Sequence, residues 1–309
     1  MHTILGAGGP VANALTRELE NINETVRLVS RRKIETTGKN TSWKKADLLN
    51  YAELIDAASG SAVIYLTAGL VYDKKVWAEQ WPVIMQNFIR LGKETGARLI
   101  FFDNVYMYGL VDGPMKEDTP YHPVSVKGSI RAQIAKQLMD EAAAGNVRAT
   151  IARAADFYGT ENGNSFIDMM VLSKYAAGQR AQWIGLPDKL HNFSYIPDMG
   201  KGMFLLGQHP EADNQIWHMP TAAPVTGRQF MEMAAGIYGV KPKFSAINKF
   251  MLWVAGLFQK VIMGTVEMYY QYDHDYIFDS SKFEKTFNFK PTSYEEGIRE
   301  MAATLYAKR

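Results

Sequence analysis

The most constraining feature of this chain lies at its very start. Thr3-Ile4-Leu5 runs straight into Gly6-Ala7-Gly8-Gly9-Pro10, after which Val11, Leu15, Leu19 and Ile22 recur at helical spacing. A strand turning sharply into a helix opens a strand–helix–strand unit, whose strands pair in parallel. Gly6, Gly9 and Ala12 form a G-x-x-G-x-x-A series across that turn. Small residues at this spacing permit a tight turn, close approach of the backbone to a ligand, and close packing of helix on strand. The free N–H groups and dipole of the helix start favour an anion. Gly6, Gly8, Gly9, Pro10, Val11 and Ala12 are therefore assigned to the pyrophosphate of a dinucleotide.

Apolar runs alternate with helical patterns through the first half, the mark of a parallel sheet with crossover helices. Candidate strands are Thr3–Leu5, Val26–Val29, Ala62–Leu66, Arg98–Phe102 and Val147–Ala152. A helix between the last two carries Ile130, Ile134 and Leu138 on one stripe and ends near Gly145. Past about residue 155 the alternation fades, and glycine, asparagine and aromatic residues rise in ENGNSF (161–166) and QWIGLPDKLHNFSY (182–195). The expected fold is α/β, a Rossmann-type doubly wound parallel sheet with a smaller C-terminal substrate-binding region. Residues 1–155 are read as the nucleotide-binding domain, with a segment near 193–220 (a strand at Gln215–Met219) returning to it. Residues 156–309 are read as mainly substrate-binding.

Charge and composition close off other classes. Thirty-four Lys+Arg against 32 Asp+Glu leave a net charge of +2, too small to imply a nucleic-acid partner. With no cysteine there is no disulfide, thiolate metal site or cysteine nucleophile. The six histidines are scattered, and Asp273-His274-Asp275 reads as a polar turn, so no metal is expected. The most apolar stretch, FMLWVAGLF (250–258), falls far short of the ~20 residues of a spanning helix, and no secretory signal opens the chain. The expectation is a soluble, cytoplasmic protein with no membrane partner.

The end of the second strand bears on which dinucleotide is bound. An NAD-binding unit usually carries Asp or Glu here to bind the ribose hydroxyls. This chain has Ser30-Arg31-Arg32-Lys33 instead. Guanidinium groups grip a 2′-phosphate that a carboxylate would repel. Ser30, Arg31 and Arg32 thus point to NADP(H) in preference to NAD(H).

Over nearly its whole length the chain resembles the NAD(P)-dependent epimerase/dehydratase family, the extended short-chain dehydrogenases. Ala46-Asp47-Leu48 resembles the pair that contacts adenine, and Leu66-Thr67-Ala68-Gly69 the loop beside the pyrophosphate and nicotinamide ribose. Met107-Tyr108-Gly109 resembles V-Y-G. Arg153 through Gly159 resembles R-x-x-N-x-Y-G, and Phe193 through Asp198 resembles F-x-x-V-x-D. Phe278-Asp279-Ser280-Ser281-Lys282 through Gly297 resembles the closing pattern. The resemblance implies cofactor contacts from Asp47, Leu48, Thr67, Ala68 and Gly69, and substrate contacts from Asp156, Tyr158 and His191, with the 160–195 segment nearby. It also allows a homodimer.

The departures are specific. Where the family carries Ser or Thr to orient the substrate oxygen, this chain has Asn104. Where the family carries Tyr-x-x-x-Lys, this chain has Lys127-Gly128-Ser129-Ile130-Arg131. The expectation is that Lys127 handles the proton and contacts the cofactor, while Arg131 takes over the ribose. Tyr106, Tyr108 and Tyr121 stand as alternative proton groups. Asp156 and His191 replace an Asn and an Arg that help hold a diphosphate, so the small-molecule substrate is expected not to be a nucleotide sugar. Two readings stay open: an NADP(H)-dependent oxidoreductase or epimerase-like enzyme on a small carbonyl or alcohol, or a non-catalytic NADP(H)-sensing regulator.

Overall fold

The computed structural model describes residues 1–36, 38–159 and 165–305; part of the 160–195 segment thus lies outside the described residues. The chain divides into two compact units. The first comprises Met1–Met107, Val126–Ala154 and Met199–Trp217, and the second Tyr108–Ser125, Ala155–Asp198 and His218–Arg309.

In the first unit, β1 (His2–Leu5) leads through α1 (Pro10–Asn21) to β2 (Val26–Ser30), then β3 (Thr41–Lys45) and α2 (Tyr51–Ala58). β4 (Val63–Leu66), α3 (Lys74–Thr95), β5 (Arg98–Asp103), α4 (Val126–Ala143) and β6 (Ala149–Arg153) follow. The strand Ile216–His218 completes a seven-stranded sheet in the order Ile216–His218, β6, β5, β4, β1, β2, β3. Each pairing from β6 through to β3 is parallel. The direction of winding switches between β1 and β4, and ligands of such sheets bind at the strand ends beside this switch. β1 and β4 are buried at every position, as strands covered by helices on both faces must be.

β3 is the strand that the apolar runs did not disclose. Thr41-Ser42-Trp43-Lys44-Lys45 sits at the sheet edge and is nowhere fully buried, so it needs little apolar character. The opposite side of the sheet is tied down by Arg98, buried at the start of β5. Its guanidinium grips both carboxylate oxygens of Asp213 at 2.7–2.9 Å and donates to the carbonyls of Leu206, Gly207 and His209. Those carbonyls lie at and just beyond the end of the helix Ile196–Gln208.

The second unit has a core of its own, including Tyr158, Trp183, Phe193, Tyr195, Phe230 and Tyr294. Short strands pair across it: Asp156–Tyr158 with Phe193–Tyr195, and Ala181–Ile184 with Phe244–Ile247, both parallel. A smaller cluster of Ile184, Leu252, Tyr269 and Tyr272 lies under the helices Lys249–Gly256 and Lys260–Val266. Among the described residues, no helix is long and apolar enough to cross a membrane.

Candidate functional site

The turn after β1 is held open by backbone geometry. Gly6 and Gly8 adopt φ of +84° and +92°, a region that residues with a Cβ rarely enter. A Cβ on Gly6 would stand 2.5 Å from the Cα of Ala68, so the loop after β4 presses directly on the glycine turn. Thr67 donates from its N–H and its Oγ1 to the Leu5 carbonyl at 2.9 and 3.2 Å, pinning the two loops together. Gly69 is exposed beside them. Gly9 caps α1 without a side chain, and Pro10 fills the first helical position, where the missing N–H costs nothing. Val11 and Ala12 are buried, so no side chain of theirs covers the first-turn N–H groups. This cradle fits a dinucleotide pyrophosphate.

At the end of β2 the Ser30 hydroxyl is already committed. It donates to the Arg32 carbonyl at 2.6 Å and accepts from the Trp43 indole at 2.9 Å. Ser30 therefore shapes the turn, and the charges that can meet a ligand include those of Arg31 and Arg32. Both are exposed and form no ion pair among the described residues. Asp47 accepts from the Leu49 N–H, and the Leu48 carbonyl accepts from the Asn87 amide, which fixes the loop after β3.

The end of β5 and the start of α4 form a second cluster. Arg131 donates from Nε to the buried Asp103 carboxylate at 2.6 Å, with Nη2 on the same oxygen at 2.5 Å. Arg153 approaches the other oxygen at 3.8 Å. The Arg131 guanidinium lies 4.3 Å from the Trp81 ring and 4.9 Å from Phe101. It is thus an anchor between α4 and β5. Its charge is met inside the chain by Asp103, whatever part it takes at a ribose.

Lys127 is fully buried, with Nζ 4.1 Å from the centre of the Tyr72 ring. Tyr72 donates to the Tyr106 hydroxyl at 3.2 Å, and Tyr106 stacks on Trp77. Tyr72, Trp77, Trp81 and Phe101 form a chain of ring contacts beneath the two cations. The sequence reading missed this row; the four-residue spacing of Trp77 and Trp81 on one helix face was its available signal. Asn104 accepts the Tyr106 N–H on Oδ1 at 3.0 Å, which leaves Nδ2 as a donor engaged by no other described residue.

In the second unit, Asp156 and His191 come together. Asp156 Oδ2 accepts from the Tyr272 hydroxyl at 2.8 Å and lies 3.3 Å from His191 Nε2. The imidazole stacks on Tyr276 and Phe193, at centroid distances of 4.2 and 4.6 Å. Tyr158, expected among the substrate contacts, is instead buried in the core against Tyr195 and Phe230, and burial pushes its phenol pKa up. Tyr108 is also fully buried. His218 Nδ1 faces the Asp279 carbonyl at 2.9 Å and so carries the hydrogen; in the neutral ring Nε2 then accepts from the Tyr108 phenol at 2.7 Å. That contact commits the Tyr108 hydroxyl to His218.

Residues 2–219 match the NAD dependent epimerase/dehydratase family. The chain belongs to that family. No curated protein matches it in sequence. Solved structures with the same fold include the UDP-glucose 4-epimerase of Thermus thermophilus in complex with NAD. That enzyme is 14% identical, with 99% of each chain covered and a TM-score of 0.80. The dTDP-glucose 4,6-dehydratase of Bacillus anthracis str. Ames in complex with NAD is 13% identical, covering 98% of this chain and 95% of that one, with a TM-score of 0.82. MoeE5 in complex with UDP-glucuronic acid and NAD is 20% identical, covering 98% and 96%, with a TM-score of 0.77. At these identities the likeness is one of fold. Within the epimerase/dehydratase family, this member keeps the glycine cradle and carries Lys127 and Arg131 at the start of α4.

Proposed function

We propose that this family member binds NADP(H) and interconverts a small carbonyl compound and its alcohol, with Asn104 and Lys127 as the catalytic residues. Two separate observations support the reading: the Asn104 Nδ2 donor is engaged by no other described residue, and Lys127 Nζ lies over the Tyr72 ring at the start of α4. Bound in the cradle, the cofactor would supply or accept the hydride. Exposed Arg31 and Arg32, with no acid at the end of β2, support recognition of a 2′-phosphate.

In the reductive direction Asn104 donates a hydrogen bond to the substrate carbonyl oxygen, where negative charge develops. Lys127, fully buried in the structure, gives its proton to that oxygen as the alkoxide forms provided that substrate binding uncovers its Nζ. Arg131 is a positioning residue. Its Asp103 pair locks α4 to β5 and thereby sets where Lys127, one helical turn earlier, is held. Asp156 and His191 support a substrate other than a nucleotide sugar, because a carboxylate offers no donor to a diphosphate. Saturable micromolar binding of UDP-glucose in a calorimeter would overturn that exclusion.

The test is NADPH consumption against a panel of small aldehydes and ketones, repeated with Lys127→Met. Turnover falling roughly 100-fold with unchanged NADPH affinity is the expected result. Unchanged turnover would remove Lys127 from the chemistry and shift attention to Tyr106 and Tyr121. NADPH binding with no consumption across the panel would favour the regulator reading instead.

A further inference from the structure

The helices Lys249–Gly256 and Lys260–Val266 show solvent an apolar face. Phe250, Trp253, Val254 and Leu257 recur at helical spacing and are 36–70% exposed; Phe258 is 85% exposed and Val261 56%. Leu252 and Gly256 point the other way and are buried. The first helix is therefore anchored on one face to the cluster of Ile184, Tyr269 and Tyr272, and leaves an unpartnered stripe on the other. A contiguous exposed patch of this kind marks an interaction surface rather than scattered surface residues.

The charge of the same stretch of sequence points to the partner. Between Glu232 and Glu267 the chain carries no acidic residue, but it carries Lys241, Lys243, Lys249 and Lys260. Lys241, Lys243 and Lys249 are exposed and form no ion pair among the described residues. Arg180, whose guanidinium reaches Ser245 at 3.4 Å on the paired strand, adds a further cation. We propose that this helical pair docks on the surface of an anionic phospholipid bilayer. Phe250, Trp253, Leu257 and Phe258 enter the headgroup boundary while Lys241, Lys243 and Lys249 meet lipid phosphates.

Exposed aromatics on one face with cations around them are what an interfacial segment requires. A helix of eight residues rises about 12 Å, against roughly 30 Å of hydrocarbon, so the segment lies on the bilayer and does not span it. The sequence expectation of no membrane partner rested on the absence of a spanning segment, which leaves surface attachment open.

The test is co-sedimentation of the full chain with phosphatidylglycerol/phosphatidylcholine vesicles and with phosphatidylcholine vesicles alone. Binding is expected to the anionic vesicles only and to weaken as salt is added. Lys241→Glu/Lys243→Glu/Lys249→Glu should lower partitioning by on the order of 100-fold, about fivefold per lysine. Leu257→Ser/Phe258→Ser should abolish it, with the thermal unfolding midpoint unchanged as evidence of an intact fold. Absence of binding to anionic vesicles, or full binding by the serine variant, would overturn the proposal. So would self-association of the wild type that the serine variant loses while neither binds vesicles, because the patch would then be a contact between two copies.

Discussion

The turn after β1 and the start of α4 belong to the same unit, yet the chain builds them by opposite means. At the turn the requirement is the absence of side chains: φ is positive at Gly6 and Gly8, and a Cβ on Gly6 would collide with the Ala68 backbone. At the start of α4 the requirement is met by side chains acting in concert. Arg131 is matched by Asp103, and both Arg131 and Lys127 rest on aromatic rings contributed by Tyr72, Trp81 and Phe101. A site made of backbone tolerates almost no substitution. One made of side chains can hold a different set, provided that the partners differ with it.

The most severe way to break this comparison is to remove the anion at the start of α4. Asp103→Ala strands the buried Arg131 and Arg153 charges, and unfolding in urea should show a loss of about 3–5 kcal/mol. A loss under about 1 kcal/mol would mean that the aromatic row alone holds Arg131. Gly6→Val tests the backbone side. The positive φ and the clash with Ala68 should together cost on the order of 2–3 kcal/mol and weaken NADPH binding in parallel. Full cofactor affinity in that variant would show that the turn does not hold the pyrophosphate.

Arg31→Glu sharpens the contrast, because it alters a side-chain contact beside the backbone cradle. NADPH affinity should fall roughly ten- to a hundredfold while NADH affinity stays level or rises. Equal affinity of the wild type for both cofactors would refute the 2′-phosphate assignment. The smallest effect is expected at the other end of β1, where His2 is buried with Nδ1 3.1 Å from the Tyr65 hydroxyl. Burial lowers the His2 pKa, opposed in part by Glu24. The unfolded chain then binds this proton more readily than the folded one. Stability is complete above the unfolded value of about 6.5 and declines as pH falls from there towards the lowered folded value. Urea midpoints at neutral and mildly acidic pH should show this slope, and His2→Asn should flatten it.

The same contrast explains what could be read from the chain. Strands buried on both faces appear as apolar runs, so β1, β2, β4, β5 and β6 were visible, whereas β3 at the edge was not. The glycine cradle was legible because its residues are contiguous and their smallness is itself the signal. Arg131 could be placed on the right helix but not with the right partner, since Asp103 lies 28 residues away and nothing local marks it as the counter-ion. The contact of Asp156 with Tyr272, across 116 residues, was equally hidden. Tyr158 had the expected position in its motif, yet only packing reveals that its ring belongs to a core.

Arg98 has a consequence for how the chain comes into being. Its guanidinium, on a strand near residue 100, depends on groups from 206 to 213. During synthesis that charge waits for more than a hundred further residues before its acceptors exist. The sheet-bearing part is therefore not a module that can be cut free at residue 155. Such a fragment would keep every glycine of the cradle and lose the carboxylate and the three carbonyls that hold Arg98. Recombination that swaps the C-terminal half for another would have to carry Asp213 and the turn at 206–209 with it, which ties the inheritance of the two halves together.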